Sequence, residues 1–152
     1  MRVRVASTLA ALFVSAAAFA NTYTVTTTAD SGAGSLRQAI LDANGSPGAD
    51  TIVFNITGSG VQTITPATVL PTITDAVTIN GYSQGGASAN TNGPGQGTNA
   101  IILIEIDGEN IGFGNSGLTV GATNVTIRGL AINRCNEAGI YVHSSGGGAV
   151  IA

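Results

Sequence analysis

The 152-residue chain contains no lysine and no tryptophan, and Asp, Glu, Lys and Arg together make up only 9% of it. Its five basic residues are arginines, and two of them, Arg2 and Arg4, stand at the start. Residues 21–152 therefore combine three arginines with all eight acids, a net charge of 3 − 8 = −5. A surface so poor in cations cannot neutralise a run of phosphates, which argues against nucleic acid, anionic lipid and polyanionic sugar as partners.

The chain has one cysteine and one histidine. Cys135 cannot form a disulfide within the chain, and we expect it to be a small, buried apolar side chain. His143 has no second histidine with which to bind a metal ion or relay a proton, so we expect it at the surface. The sequence assigns no catalytic residue.

The first twenty residues have the features of a signal peptide. Arg2 and Arg4 precede an almost wholly apolar run over residues 9–19, and Ala18-Phe19-Ala20 places small residues at the positions that a signal peptidase reads. The run is shorter than the ~20 residues that span a bilayer, and no second apolar segment follows. We therefore predict a signal peptide over residues 1–20, export, and no transmembrane span.

An internal repeat organises the remainder of the chain. The pattern apolar-x-Ile-x-Gly occurs at residues 54–58, 77–81, 104–108 and 125–129, so that its glycines are 23, 27 and 21 residues apart (81 − 58, 108 − 81 and 129 − 108). A second pair, at residues 117–120 and 139–142, is offset by 22 (139 − 117). Apolar and polar positions alternate in each copy, which is typical of a strand with one buried face. The closing residues Gly58, Gly81, Gly108 and Gly129 suit sharp bends where a side chain would collide, which is a structural role.

A short strand that recurs every 21–27 residues restricts the fold class. Leucine-rich repeats are not supported, because the dense Leu pattern that they need is missing. Helix-pair repeats need longer periods, and a propeller blade needs a repeat about twice as long. An all-β, right-handed parallel β-helix remains, a solenoid with rungs of about 21–27 residues. The right-handed sense of the coil is expected because connections between parallel strands are right-handed in ~98% of cases.

Stacking the four copies in one register predicts where charged residues meet. Glu105 and Asp107 would point outward from one strand, ~6.6 Å apart, and Arg128 would lie one rung beyond Asp107. Two carboxylates at that distance are able to bind calcium or flank a glycosidic bond. We therefore predict a ligand-binding cluster of Glu105, Asp107 and Arg128, with calcium as a possible ion at Glu105 and Asp107. The alternative is a solvated surface ion pair worth ~0–1 kcal/mol.

One helix and one long loop interrupt the strands. Ser35 and Gln38 have the spacing of a capping box, and an apolar stripe at i, i+3, i+4 and i+7 follows. We predict a helix over residues 35–44 that covers the exposed end of the coil, as terminal repeats do in solenoids. Residues 81–100 are rich in Gly, Asn and Ser, and we predict an outward loop there.

The segments Gly34–Asn44 and Gly48–Phe54, with Tyr23–Thr26 before them and Leu70–Ile73 after them, resemble the N-terminal region of bacterial secreted right-handed β-helix proteins that carry the CSLREA-type element. Residues 125–142 resemble their standard rungs. Gly34 replaces the leading cysteine of the element, and Gln38 replaces its glutamate. The resemblance implies a pectate-lyase-like coil exported by a bacterium to the medium, the cell surface or the outer membrane. It implies chemistry only weakly.

Two functions remain open. One is a non-catalytic surface or adhesion protein, monomeric, that binds an extracellular or cell-surface polysaccharide. The other is a polysaccharide lyase or glycoside hydrolase with its active site on later rungs. Residues 148–152 end inside a strand-like pattern, so we expect residues 21–152 to be the N-terminal part of a longer β-helix domain.

Overall fold

The computed structural model describes residues 19–152, and the signal peptide predicted over residues 1–20 lies almost wholly outside them. One helix, α1 (Leu36–Gly45), lies between the first two strands. The strands in the described residues are β1 (Thr22–Val25), β2 (Asp50–Phe54), β3 (Gln62–Ile64), β4 (Val77–Asn80), β5 (Ile104–Asp107), β6 (Leu118–Val120), β7 (Thr126–Arg128), β8 (Leu130–Asn133), β9 (Ile140–Val142) and β10 (Val150–Ile151).

These strands form three sheets, and every strand pair in them is parallel. Sheet I has the order β1-β2-β4-β7-β10, sheet II the order β3-β5-β8, and sheet III pairs β6 with β9. From β4 onward the chain passes twice through sheets I, II and III in that order and then returns to sheet I with β10. The earlier pass is similar, because Ile73 follows β3 and forms a parallel bridge to Val120 of β6. The prediction of parallel strands with one helix is therefore confirmed.

The core consists of the apolar residues that alternate along the strands. In sheet I the fully buried isoleucines Ile52, Ile79 and Ile127 occupy equivalent positions, and in sheet II Ile64 lies beside Ile106. Burying one such side chain is worth about 1.5–3 kcal/mol relative to leaving it exposed. A slip of one residue would turn each of these side chains to solvent, so the apolar alternation excludes registers that are shifted by one residue.

The predicted stacking of the four repeat copies in one column is wrong. The copies at residues 77–81 and 125–129 do pair, with Ile79 beside Ile127, but the copy at 104–108 lies in sheet II. The copy at 54–58 is out of register, because Ile52 and not Ile56 lies beside Ile79. The predicted rung length also fails for this part of sheet I, since the paired residues Asn80 and Arg128 stand 48 positions apart. An alternating strand has the same pattern in whichever sheet it lies.

The second predicted pair is found in the structure. Leu118 lies beside Ile140, Thr119 beside Tyr141 and Val120 beside Val142, which makes up sheet III. The offset between these two copies therefore corresponds to one pass through all three sheets without a long insertion.

Helix α1 begins one residue later than the predicted start of 35–44. The hydroxyl of its N-cap, Ser35, accepts a hydrogen bond from the backbone N–H of Gln38 at 3.1 Å. The Gln38 side chain does not complete the predicted capping box, because it donates to Asp42 one turn later at 2.8 Å. The Ser35 N–H donates to the Gly32 carbonyl instead. The apolar face of α1 packs against β1 and β2 and buries Leu36, Ala39, Ile40 and Ala43.

Two polar side chains beside the apolar face of α1, Arg37 and Asn44, hold the segment that enters sheet III. Asn44 donates from Nδ2 to the Thr72 carbonyl at 2.8 Å and accepts from the Thr74 N–H at 2.8 Å. Arg37 donates to the carbonyls of Thr68 and Val69, each at 2.8 Å. The amide of Asn44 thus occupies the place of a neighbouring strand and satisfies backbone groups at a sheet edge. Among residues 19–152 the structure holds no helix with the length and hydropathy needed to cross a bilayer.

The predicted outward loop over residues 81–100 begins four residues later. Gly81–Ser83 form a short 3-10 turn, and Gln84 is buried. The Gln84 amide accepts from the Ile56 N–H at 2.9 Å and donates to the Ile56 carbonyl at 2.8 Å, as a strand residue would. The exposed part of the loop is closed by two backbone hydrogen bonds between Ser88 and Ile101, of 3.0 and 2.8 Å.

Candidate functional site

Glu105 lies between two polar side chains of the neighbouring strands on the outward face of sheet II. Its Oε2 accepts a hydrogen bond from the Thr63 hydroxyl of β3 at 2.6 Å. Its Oε1 accepts one from the Asn133 side chain of β8, also at 2.6 Å. We call these three residues the polar ladder, because they join all three strands of the sheet through their side chains.

The polar ladder changes the acidity of Glu105. The Thr63 hydroxyl, and secondarily the Asn133 amide, hold the pKa of the Glu105 carboxyl below its usual range. Both groups stabilise the charged form by donating to it. The carboxylate is therefore ionised and engaged on both of its oxygens by the strands on either side.

Asp107, two residues further along β5, is buried and forms an ion pair with Arg134. Arg134 Nε donates to Asp107 Oδ1 at 2.7 Å, and a second guanidinium nitrogen contacts Oδ2. The backbone N–H of Glu109 donates to Oδ1 at 3.1 Å. Arg134 lies just after β8 and has φ = 53°, in the left-handed region that non-glycine residues adopt infrequently. Asp107 stands at an outward position of β5, but its side chain is buried and paired with Arg134.

This fork-to-fork contact determines the acidity of both partners. Hydrogen bonding to Arg134 holds the pKa of Asp107 below its usual range, and the same bond raises the pKa of Arg134. A bidentate arginine–carboxylate pair has a defined geometry as well as charge attraction. The pair joins the ends of β5 and β8 on sheet II.

Arg128 does not lie beside Asp107. It belongs to β7 in sheet I, where its Nε donates to the Asn80 side chain of β4 at 3.0 Å. In sheet II the residue beside Asp107 is Asn133. The expected cluster of Glu105, Asp107 and Arg128 is therefore divided between two sheets, because the repeat copies at 104–108 and 125–129 occupy different sheets.

The structure brings Thr63, Asn133 and Arg134 to the predicted acids, and sequence reasoning did not single out these residues. A signal for them exists. The stretch Leu130-Ala131-Ile132-Asn133 repeats the alternation of Ile104-Glu105-Ile106-Asp107, at a spacing within the range of the other repeat copies. Pairing these two stretches first would have placed Asn133 and Arg134 beside the acids.

The possible calcium site at Glu105 and Asp107 stays a prediction. Calcium takes six to eight oxygen ligands. Both Glu105 oxygens accept hydrogen bonds, and the Asp107 carboxylate faces the guanidinium of Arg134, which a calcium ion would have to displace. Within residues 19–152 no group of three or more His, Cys, Asp and Glu side chains is arranged to hold a metal ion.

The repeat glycines differ in their surroundings. A Cβ on Gly81 would overlap the carbonyl oxygen of Gly129, and a Cβ on Gly108 would lie 2.5 Å from the sulfur of Cys135. Gly129 has φ = 67°, and a Cβ there would lie 2.7 Å from Tyr82. At Gly58 the nearest neighbour is the side chain of Gln62, 3.2 Å away. Three of the four glycines therefore lie where a side chain would meet an adjoining strand or turn.

Cys135 and His143 lie in different surroundings. Cys135 is half-buried against Gly108 and Gly117, and burial raises the pKa of its thiol. His143 is exposed just after β9, and its ring packs edge-on against Tyr141, with centroids 5.0 Å apart and planes at 82°. Tyr141 belongs to sheet III, in the same row as Thr119, and His143 follows the end of β9.

Comparison with known proteins found no match to the chain among family models, curated proteins or solved structures.

Proposed function

We propose that residues 21–152 form the first coils of a right-handed parallel β-helix in an exported bacterial surface protein, a relative of the secreted proteins with the CSLREA-type element. The observation that supports the coil best is the repeated order in which the chain visits sheets I, II and III, always in parallel. Right-handed crossovers are the general rule for parallel strands. Helix α1 then acts as the cap, since Arg37 and Asn44 bind backbone groups at the start of sheet III.

We further propose that the protein binds its ligand and does not cleave it. Glycoside hydrolysis needs two carboxyl groups that are free to act on the substrate. The two outward acids of the repeat are instead bound by Thr63, Asn133 and Arg134 within sheet II. This arrangement supports a role for Glu105 and Asp107 in joining strands. The alternative, a lyase or hydrolase, would place its active site on further rungs.

A neutral polysaccharide is the proposed ligand. The net charge of −5 over residues 21–152 repels acidic sugars at a distance. Tyr141 and His143 offer an aromatic surface at sheet III, and the Thr119 hydroxyl lies in the same row as Tyr141. Apolar ring faces flanked by a few polar groups are typical of small-molecule sites. The outward face of sheet II, with Glu105, is the second candidate face.

Binding measurements with the exported chain test this proposal. We expect it to bind a neutral glucan or mannan more tightly than pectate, and Tyr141→Ala to weaken binding at least fivefold. Phe113→Ala is the matched control, because Phe113 is 92% exposed and lies outside the sheets. Glu105→Gln distinguishes sheet II from sheet III as the binding face. Release of new reducing ends from any of these polysaccharides would overturn the non-catalytic proposal.

A further inference from the structure

Asp50 is a carboxylate in an apolar position. It is the first residue of β2, and its side chain points inward with those of Ile52 and Phe54. In sheet I it lies beside Val77, the first residue of β4. The pairing of β4 with β7 begins one residue later, at Thr78. Only 1% of Asp50 is exposed to solvent. Placing a carboxylate in such a position is costly unless partners compensate for its lost hydration.

The partners of Asp50 are incomplete in the chain as it stands. Oδ1 accepts a hydrogen bond from the backbone N–H of Asn21 at 2.7 Å. Oδ2 is buried and has no hydrogen-bond partner in the described part of the chain. Neither of the salt bridges among residues 19–152 involves Asp50. Among residues 19–152, Asp50 therefore has neither a cationic partner nor a donor for Oδ2. The backbone nitrogen of Asn21 is the group already in place beside the carboxylate.

Asn21 is held at this position by two further contacts. Its carbonyl accepts from the Thr51 N–H at 2.8 Å, and its side chain donates to the Ser46 hydroxyl at 2.6 Å. Ala20 is exposed, and Phe19 is 71% exposed. The chain thus joins sheet I at Asn21, the residue that follows the predicted signal-peptidase bond.

We propose that the cut between Ala20 and Asn21 creates the missing partner, so that the new α-ammonium group of Asn21 forms a buried ion pair with Asp50. This inference rests on the export proposed above. Signal peptidase adds water across the Ala20–Asn21 peptide bond. The hydroxyl of the water bonds to the Ala20 carbonyl carbon, so that Ala20 ends in a carboxylate. The protons go to the nitrogen of Asn21, which is an ammonium group at neutral pH. An ammonium has three donors in place of one amide N–H, so it can serve Oδ1 and reach the unpaired Oδ2.

The ion pair makes the processed protein a different folded state from its precursor. In the precursor the uncharged amide of Asn21 donates one hydrogen bond to the buried carboxylate. In the processed chain an ammonium of opposite charge faces the carboxylate and offers further donors, which compensate for the lost hydration of Asp50. The buried charge of Asp50 is thereby compensated in full only after the leader has been removed.

The absence of lysine provides a direct test. Once the leader is removed, the α-amino group of Asn21 is the only primary amine in residues 21–152. The whole chain, leader included, is expressed in a bacterium, and the mass of the exported product gives its first residue. The product is then treated with an amine-acylating reagent at neutral pH, with and without denaturant. We expect acylation of the folded protein to be at least about tenfold slower, because an ion-paired ammonium stays protonated and unreactive.

Two variants decide whether Asp50 causes the slow acylation of the folded protein. Asp50→Asn should raise the acylation rate of the folded protein about tenfold, while Asp42→Asn, an exposed carboxylate on α1, should leave it unchanged. If Asp50→Asn does not fold, wild-type protein acylated in denaturant and then refolded should melt several degrees lower than untreated protein carried through the same steps. The ion pair would be overturned by an exported product that begins elsewhere than at Asn21. It would also be overturned by an amine that reacts equally fast in the folded and the denatured protein. Neither result would contradict export. Failure of export would overturn both.

Discussion

Arg134 and Asp107 face each other across sheet II, with Nε of the arginine 2.7 Å from Oδ1 of a carboxylate that is almost entirely buried. The two residues are 27 positions apart in the chain. They meet because β5 and β8 pair in parallel with Asp107 beside Asn133. The contact converts an acid that resembles a ligand-binding group into a link between neighbouring strands.

The lowered pKa of Asp107 predicts how stability depends on pH. A carboxyl whose pKa is lower in the folded than in the unfolded chain stabilises the fold above the unfolded value, and that contribution is lost as pH falls through the folded value. Hence wild type should melt higher than Asp107→Asn at pH 6–7, and the difference should shrink below about pH 4. In an Arg134→Gln background the difference at pH 7 should be smaller, since Arg134 is the main cause of the shift. Thermal melts from pH 7 to pH 2.5 measure this, and a difference independent of pH would contradict it.

The polar ladder should act as one unit. Thr63→Val removes the hydroxyl that donates to Glu105, and we expect the melting temperature to fall by a few degrees, whereas Thr63→Ser keeps the donor and most of the stability. In a Glu105→Gln background the Thr63→Val change should cost less, because the two residues share one contact. Strictly additive effects in this double-mutant cycle would show that the hydrogen bond does not contribute.

Calcium should leave the wild-type protein unchanged. Arg134 already provides a cation at Asp107, and both oxygens of Glu105 accept hydrogen bonds from neighbouring strands. We expect millimolar CaCl2 to shift the melting temperature no more than MgCl2 does at equal ionic strength. A calcium-specific rise that disappears in Glu105→Gln and in Asp107→Asn would instead establish the calcium site predicted from the sequence.

Gly81 should not tolerate a side chain. A Cβ there would overlap the carbonyl oxygen of Gly129, and the backbone of sheet I would have to move. We expect Gly81→Ala to lower the free energy of unfolding by about 2–4 kcal/mol, in the range of overpacked cores and strained sites. Gly85→Ala is the matched control four residues away, because a Cβ at Gly85 meets no atom within 4 Å. That variant should unfold at the same denaturant concentration as wild type or slightly above it.

Asn44 should stabilise the junction between helix α1 and sheet III. Asn44→Ala leaves the Thr74 N–H and the Thr72 carbonyl without their partner, which predicts a loss of about 1–3 kcal/mol in the free energy of unfolding. Asn55→Ala removes an exposed amide that follows β2 and should change little. Urea denaturation of the two variants compares them directly. Equal midpoints would mean that water replaces the Asn44 amide without loss.

Local sequence determined the elements of this protein. The alternation of apolar and polar residues fixes which side chains of a strand are buried, and the capping hydroxyl of Ser35 with its apolar stripe marks the beginning of α1. Both signals are read within a few residues, so they needed no knowledge of the fold. The offset between residues 117–120 and 139–142 also indicated a true strand pair, because no long insertion separates them.

Only the tertiary structure decided which strand lies beside which. The pattern apolar-x-Ile recurs in sheets I and II alike, and the long loop after Gln84 lies between the paired strands β4 and β7. Counting residues therefore placed Arg128 beside Asp107, whereas pairing brings Arg134 there. The same holds for Asp50, whose charge is plain in the sequence but whose burial beside Asn21 depends on the pairing of β1 with β2. Alternation along a strand is a local property, but the neighbours of a parallel strand depend on the whole path of the chain between them.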